Sequence, residues 1–466
     1  MVRNRFKNIY NLVIVGGGPA GMAAAIRAYE LGINDILIIE RDSNLGGILP
    51  QCIHGGFGLK IFNSELTGPE YCQIFVDKLK DSSVEVLLNT MVLKINMEKS
   101  RSYIDNNTDN NKNNNLNYNN LDYISSNVAH LSIIAASKSF GFKKINTRSI
   151  ILALGCRERT RHQILIPGSR PAGIFTAGLV QRMVNIDGYL PGREIVILGS
   201  GDIGLIMARR LTLEGCKVKG VFELMPFSTG LLRNISQCLE DWNIPLFLSH
   251  TVTNIIGEKR LEAVEICQVN HNLVPIAKTK RKIACDTLLL SAGLIPENEL
   301  SKTCGIELDN RTGGPIVDES LNTSTEGIFS CCNSLFVNDL VDNVTEDGYS
   351  AAKSAVGYLS HKKTYKRFIE IIASENIAYI VPQKISGKSD VTFKIRAKYP
   401  LKDVYVNFKE MGFKKKIKYV SPGELIFINV SKDRFEKLRK REKLNKKSTG
   451  EKSKSLKVSL KKDSEN

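Results

Sequence analysis

The same supersecondary pattern is written twice in this chain, and that repetition constrains the fold more than any other feature. From Asn11 the text runs NLVIVGGGPAGMAAAIRAYELGINDILIIE. A short β-rich apolar run (residues 12–15) enters a glycine turn, an Ala-rich helical stretch follows, and a second apolar run (36–39) closes on Glu40. This spells a strand–helix–strand unit. Gly16, Gly18 and Gly21 form G-x-G-x-x-G: the first permits the tight turn, the second lets backbone approach a pyrophosphate, and the third packs helix on strand. Pro19 and Ala20 open the helix, whose N-terminal N–H groups and partial positive charge suit phosphate. Glu40 follows Gly21 by 19 residues, the place of a carboxylate that hydrogen-bonds a ribose diol. The second copy, REIVILGSGDIGLIMARRLTLEGCKVKGVFE, repeats the pattern with Gly199, Gly201, Gly204, Asp202 and Ile203 at the helix start, and Glu223 again 19 residues after the third glycine. Two dinucleotide folds imply two cofactors. A free carboxylate at Glu223 would accept from a 2′-hydroxyl and repel a 2′-phosphate, which favours NAD over NADP.

The 466 residues are about three times a typical ~150-residue domain, so two or three cores are expected. With 42% apolar and 24% charged residues the composition is that of a folded globular protein. A net charge of +17 invites a nucleic-acid or anionic-membrane reading, but residues 437–466 alone carry twelve Lys/Arg against four Asp/Glu, +8 of that total. None of the ten cysteines forms a CxxC or CxxxxC pair, so neither a zinc site nor a redox dithiol is expected and no metal is assigned. Scattered thiols fit a reducing, cytoplasmic compartment. No apolar run reaches the length of a membrane span, and the basic start (Arg3, Arg5, Lys7) imitates a signal peptide only until the glycines interrupt the run behind it.

These motifs resemble the two-dinucleotide-domain flavoproteins of the pyridine-nucleotide oxidoreductase family, in which FAD occupies the first fold and NAD(P)H an inserted second one. Further segments carry the resemblance across residues 10–360. SIILALG (149–155) and DTLLLSAG (286–293) look like the crossovers between domains, and TEGIFSCCN (325–333) looks like the second FAD motif. The resemblance implies FAD contacts at Gly46, Gly47, Gln51, Val92, Ala153, Gly155 and Asn333, beside the first glycine turn and Glu40, and an NAD contact at Gly293 beside the second. Asn333 stands where the family places an acid. Cys332 stands in place of a glycine, and if that position requires positive φ a side chain there carries a cost. More narrowly, GGILPQCIHGGFGL, GCRERTR and RPAGIFTAG look like a subgroup of predicted NADH-type oxidoreductases that accompanies a glycerol-3-phosphate-dehydrogenase-like flavoenzyme and a small cysteine-containing protein.

The family's paired cysteines are missing, so dithiol–disulfide reduction is not expected. Cys52 and His54 nevertheless fall where the loop after LGG would run under the flavin. Two readings stay open for Cys52, a redox relay or a packing and flavin-tuning residue, and for His54 a catalytic or a merely satisfied loop histidine. Cys331–Cys332 reads as two buried thiols rather than a strained vicinal disulfide. Arg157, Arg159 and Arg161 alternate, which suits either ion pairs and a solvated face or a site for an anionic group.

The expected architecture is α/β: an FAD domain (1–175 and 290–362) with an Asn-rich disordered insert at 105–120, an inserted NAD domain (176–289), a small C-terminal β domain (375–432) and a disordered basic tail (433–466). The expected activity is hydride exchange between NADH and FAD, with electrons passing to or from a partner dehydrogenase, a small redox protein or a small acceptor. The alternatives are a complex subunit with an assembly or sensing role and no turnover of its own, or a basic nucleic-acid-binding flavoprotein. No specific nucleic-acid partner is expected; peripheral membrane association and oligomerisation stay open.

Overall fold

The computed structural model describes residues 7, 9–98, 130–360, 368–449 and 455–462. The expected insert at 105–120 lies outside these residues. The first sheet has seven strands. Ile9–Val15 lies at its centre, parallel to Ile36–Ile39 on one side and to the end of Gly141–Leu152 on the other. The strands Thr90–Glu98, His130–Ser137 and Gly141–Leu152 form an antiparallel meander, and Ile328–Ser330 adds a parallel strand beside Gly141–Leu152. Leu12, Val13 and Ile14 are wholly buried because both faces of this strand are covered, which is why it reads as a continuous apolar run. On one face the helix Pro19–Glu30 meets Val341–Leu359 so closely that a Cβ on Gly348 would stand 2.3 Å from the Ala20 carbonyl oxygen.

The second sheet is wholly parallel: Leu246–Leu248, Lys217–Glu223, Glu194–Leu198, Thr287–Leu290 and Ile174–Thr176, in that order. An antiparallel three-stranded sheet, His250–Gly257, Leu261–Gln268 and Arg281–Ala284, accompanies it. The two passages between the folds pair with each other, Cys156–Glu158 against Leu294–Pro296, so a two-stranded ribbon joins them.

The C-terminal unit has a five-stranded and a three-stranded sheet around Phe393, Phe408, Phe435 and Ile428, none of them solvent-exposed. Here the structure corrects the expectation of a disordered basic tail. Lys432–Thr449 is a helix that buries Phe435, and Ser455–Lys462 is a strand inserted between Ile369–Ala373 and Leu401–Phe408. The physical reason is alternation: Leu456, Val458 and Leu460 all point inward and are fully buried. Each such side chain contributes about 1.5–3 kcal/mol, enough to hold a strand whose other residues are lysine and serine. Among the described residues no helix is long and apolar enough to cross a membrane.

Candidate functional site

In the first fold, Gly16 has φ +107°, and a Cβ there would lie 2.2 Å from the Ala153 carbonyl oxygen; on Gly21 it would lie 1.8 Å from the Gly16 carbonyl oxygen. These two glycines are demanded by the fold itself. Gly18 differs, since its nearest neighbour across the gap is the Gly47 Cα at 4.0 Å. The space beside it is a cradle that a side chain would fill. Gly18 caps the helix without a side-chain hydrogen bond, Pro19 follows at the first turn, and no acid occupies that turn, so the helix presents bare N–H groups to the cleft. Glu40 accepts hydrogen bonds from the Gly17 N–H at 2.6 Å and the Asp42 N–H at 2.8 Å, which fixes its carboxylate at the edge of the cradle.

The second fold repeats this construction. Gly199 has φ +100° and stands against the Ser291 carbonyl oxygen at 2.1 Å from a built Cβ; Gly204 stands against Gly199 and Ser291 at 2.7 and 2.8 Å. Gly201 is again the open one, 3.5 Å from Ser291 Oγ. Glu223 accepts from the Ser200 N–H and Oγ–H at 2.9 and 2.6 Å and from the Met225 N–H at 2.9 Å. One detail differs. The helix start carries Asp202, whose Oδ1 accepts from Leu231 N at 2.8 Å and Asn234 Nδ2 at 2.6 Å, and the loop 228–231 therefore lies against the turn.

Both open glycines face one continuous cleft of about 1180 Å³. Gly16, Pro19, Ala20, Glu40, Gly47, Gln51, Val92, Ala153, Gly155 and Asn333 line it from the first fold, with Cys52 and His54, and Asp202, Ile203 and Gly293 line it from the second. Gly21, Gly46, Gly199, Gly204 and Glu223 do not. Gly46 instead fastens the loop, its N–H donating to the Gly17 carbonyl at 2.8 Å, and a Cβ there would meet Cys72 Sγ at 2.4 Å.

The loop that carries Cys52 is fastened to the second fold. Gln51 Nε2 donates to the Gly178 carbonyl at 2.9 Å and to Gln181 Oε1 at 3.1 Å, and Asn185 Nδ2 donates to the Gln51 carbonyl at 2.8 Å. Cys52 Sγ lies 3.6 Å from Gln181 Oε1, and burial pushes its thiol up to about 12, so it is protonated at neutral pH. Burial first, then the neighbouring Arg233 and Arg209, hold the His54 imidazole below its usual range, leaving it neutral. Cys331 and Cys332 are buried free thiols. Cys332 has φ +61°, so the position does require the left-handed conformation, at roughly 1–2 kcal/mol for a side chain. Burial alone would raise its thiol; hydrogen bonds from Cys331, Ser334 and the Gly155 N–H bring it below its usual range. Asn333 accepts from Asn338 N at 2.9 Å and reaches Cys156 Sγ at 3.6 Å. The alternating arginines divide: Arg157 pairs with Glu297 and Glu299 at 3.0 and 2.8 Å, and Arg161 donates to three backbone carbonyls. Residues without any motif complete the wall: Gln181 of the helix Ala177–Asn185, and Tyr379, Arg396, Pro422 and Gly423 of the C-terminal unit. Only SPGE (421–424) reads in the sequence as a turn; nothing local marks the others.

Residues 10–348 match the family described as pyridine nucleotide-disulphide oxidoreductase. The chain belongs to that family. That family binds FAD and uses NAD(P)H, and the residues present here fit a flavin nucleotide: open space at Gly18, a first helical turn without an acid, the Glu40 carboxylate and the adjoining cleft. Among curated relatives it is 26% identical over 318 residues to hydrogen cyanide synthase subunit HcnB of Pseudomonas protegens, covering 64% of this chain and 59% of that one. It is 29% identical over 190 residues to the ferredoxin reductase component of chlorobenzene dioxygenase from a Cupriavidus species, covering 39% and 42%. The chain thus spans about three fifths or less of these relatives. Thioredoxin reductase of T. acidophilum superposes with a TM-score of 0.57 at 20% identity, covering 76% of this chain and 99% of that one, a likeness of fold.

Proposed function

We propose that this enzyme exchanges a hydride between NADH on the second fold and FAD on the first, then passes electrons to, or receives them from, a partner protein or small acceptor in the cytoplasm. The observation that carries this reading is the single cleft shared by Gly18 and Gly201. Bound FAD would supply two-electron redox chemistry. The chain's own part is to bind and position. The Gly17–Pro19 turn and the helix behind it would hold a pyrophosphate, Glu40 a ribose diol, and Gly155 and Asn333 the remainder of the flavin nucleotide. Gly201 and Ile203 would hold the nicotinamide nucleotide, with Glu223 selecting against a 2′-phosphate. Close placement of two reactants substitutes for bimolecular encounter, which makes position the main lever of rate.

The names of the relatives, a synthase subunit and a ferredoxin reductase component, support an electron-transfer role beside a partner. We extend this to the subgroup whose companion is a glycerol-3-phosphate-dehydrogenase-like flavoenzyme. Cys52 is protonated and has no other cysteine within ten residues along the chain, which supports packing over relay. An anaerobic NADH titration of the purified protein, followed by a screen of oxygen, quinones and small thiol proteins as acceptors, tests the reading. Bleaching of the flavin by NADH with turnover on one acceptor is expected; a flavin that NADH leaves oxidised contradicts it.

A further inference from the structure

The C-terminal unit does more than pack beside the cleft. Arg396, on the strand Val391–Ala397, is 9% exposed and uses every nitrogen of its guanidinium. Nε donates to Tyr379 Oη at 3.0 Å, Nη1 to the Pro422 carbonyl at 2.8 Å, and Nη2 to the Val337 carbonyl at 2.9 Å and Asp339 Oδ1 at 2.5 Å. The second Asp339 oxygen accepts from Leu425 N at 2.7 Å. Val337 and Asp339 belong to the segment that leads from Asn333 into the helix Val341–Leu359, within the first nucleotide fold. Pro422 lies in the turn between the strands Phe413–Val420 and Leu425–Val430, and Leu425 opens the second of them. A buried guanidinium and carboxylate thus fasten that turn to the wall of the first fold, in the planar, multiply bonded manner that arginine permits and lysine does not.

The far side of the turn touches the second fold. A Cβ on Gly423 would lie 2.6 Å from the Thr229 carbonyl oxygen and 3.3 Å from that of Gly230. Gly423 is not among the positive-φ residues, so closeness and not conformation calls for glycine. The loop it touches is itself tied to the second glycine turn, Thr229 N donating to Ser200 Oγ at 3.3 Å and Leu231 N to Asp202 at 2.8 Å. Contacts therefore run without a gap from Asp339 through Arg396, Pro422 and Gly423 to Thr229 and Ser200. The C-terminal unit has its own core around Phe393 and Phe408, so folding of that unit does not account for a charged clamp at its rim.

We propose that Arg396 and Gly423 are positioning residues for hydride exchange: Arg396 holds the turn 421–424 as a spacer that sets how the second nucleotide fold faces the first. This rests on the reading that NADH on one fold reduces FAD on the other. Neither residue is asked to touch the reacting atoms.

The test uses the FAD-loaded full chain with Gly423→Val and, separately, Arg396→Met. Three quantities are measured: FAD content with chemical reduction by dithionite, the saturating rate and half-saturating concentration of anaerobic reduction by NADH, and hydrogen exchange across residues 225–231. Gly423→Val is expected to hold FAD and to bleach with dithionite as the unmodified protein does. Its saturating rate with NADH should fall at least about tenfold while half-saturation moves less than about threefold, because misplacement costs rate before it costs affinity. Exchange at 225–231 should rise. An unchanged rate beside raised exchange overturns the proposal, and so does unchanged exchange. Arg396→Met should shift both readouts the same way; if it does not fold, Gly423→Val decides alone. If NADH fails to bleach even the unmodified protein, the functional reading falls, and the exchange measurement alone then decides whether the turn acts as a spacer.

Discussion

The two nucleotide folds of this chain use the same glycines for the same reasons, yet they meet the cleft differently. In the first, the helix after Gly18 begins with proline and carries no acid in its first turn, and among the described residues only the Gly47 Cα, at 4.0 Å, comes near a Cβ built on Gly18. In the second, Asp202 ties down the loop 228–231, and the turn at Gly423 presses on that loop from the other side. Glu40 lines the cleft, whereas Glu223 lies behind it with its oxygens engaged by Ser200 and Met225. The first arrangement leaves its glycine turn open to the cleft, whereas the second holds the loop beside its turn from two sides. The twin motifs also separate glycines that the fold needs from glycines that the ligand needs. The difference is the distance to the first obstacle, near 2 Å for Gly16, Gly21 and Gly199 and 3.5–4.0 Å for Gly201 and Gly18.

The largest effect expected from that separation is at Gly21. Gly21→Val drives a side chain into the Gly16 carbonyl and should give no soluble folded protein, as judged by expression and circular dichroism. Gly18→Val should instead fold, with an unchanged far-ultraviolet spectrum, and be colourless; retention of stoichiometric flavin would break the distinction. Next comes Gly201→Val, which should keep FAD and weaken NADH binding by about a hundredfold, a loss near 2.7 kcal/mol, measured by titration of flavin reduction.

Both glycine turns are legible in their local motifs, because such a turn is dictated by the backbone of a few neighbouring residues. What stayed hidden depends on contacts between distant segments. Gln181 and Arg396 carry no pattern; each acquires a role only when the helix Ala177–Asn185 or the strand Val391–Ala397 is brought to the cleft. The strand Ser455–Lys462 was hidden for another reason. Its period-two apolar residues are present in SLKVSLKK, but lysine and serine content alone pointed to a disordered tail. At Cys332 the sequence marked a departure and the structure supplies its meaning, a side chain at φ +61° where glycine would sit freely.

Smaller effects sharpen the same comparison. The efficiency of flavin reduction by NADH should exceed that by NADPH by more than about a hundredfold, a like-charge penalty of a few kcal/mol, and Glu223→Ser should shrink the ratio mainly by improving NADPH. Equal use of both nucleotides by the unmodified protein would remove Glu223 from this role. Smallest of all is Cys52→Ser, which should leave turnover within about tenfold, or 1.4 kcal/mol of barrier. Because burial raises the Cys52 thiol to about 12, the reactive thiolate stays scarce below that value, and alkylation of Cys52 should show no inflection between pH 6 and 9. A midpoint in that window, or loss of all acceptor turnover with the flavin still reducible, would restore the relay reading.

One cleft joins the two nucleotide folds, and anaerobic stopped-flow mixing of the purified protein with NADH tests whether a hydride crosses it. The expected result is that NADH abolishes the oxidised-flavin absorption in a single saturable phase, and that Gly201→Val keeps its flavin but needs about a hundredfold more NADH to reach half-saturation of that phase. A protein that purifies without flavin, or whose flavin NADH leaves oxidised, contradicts it.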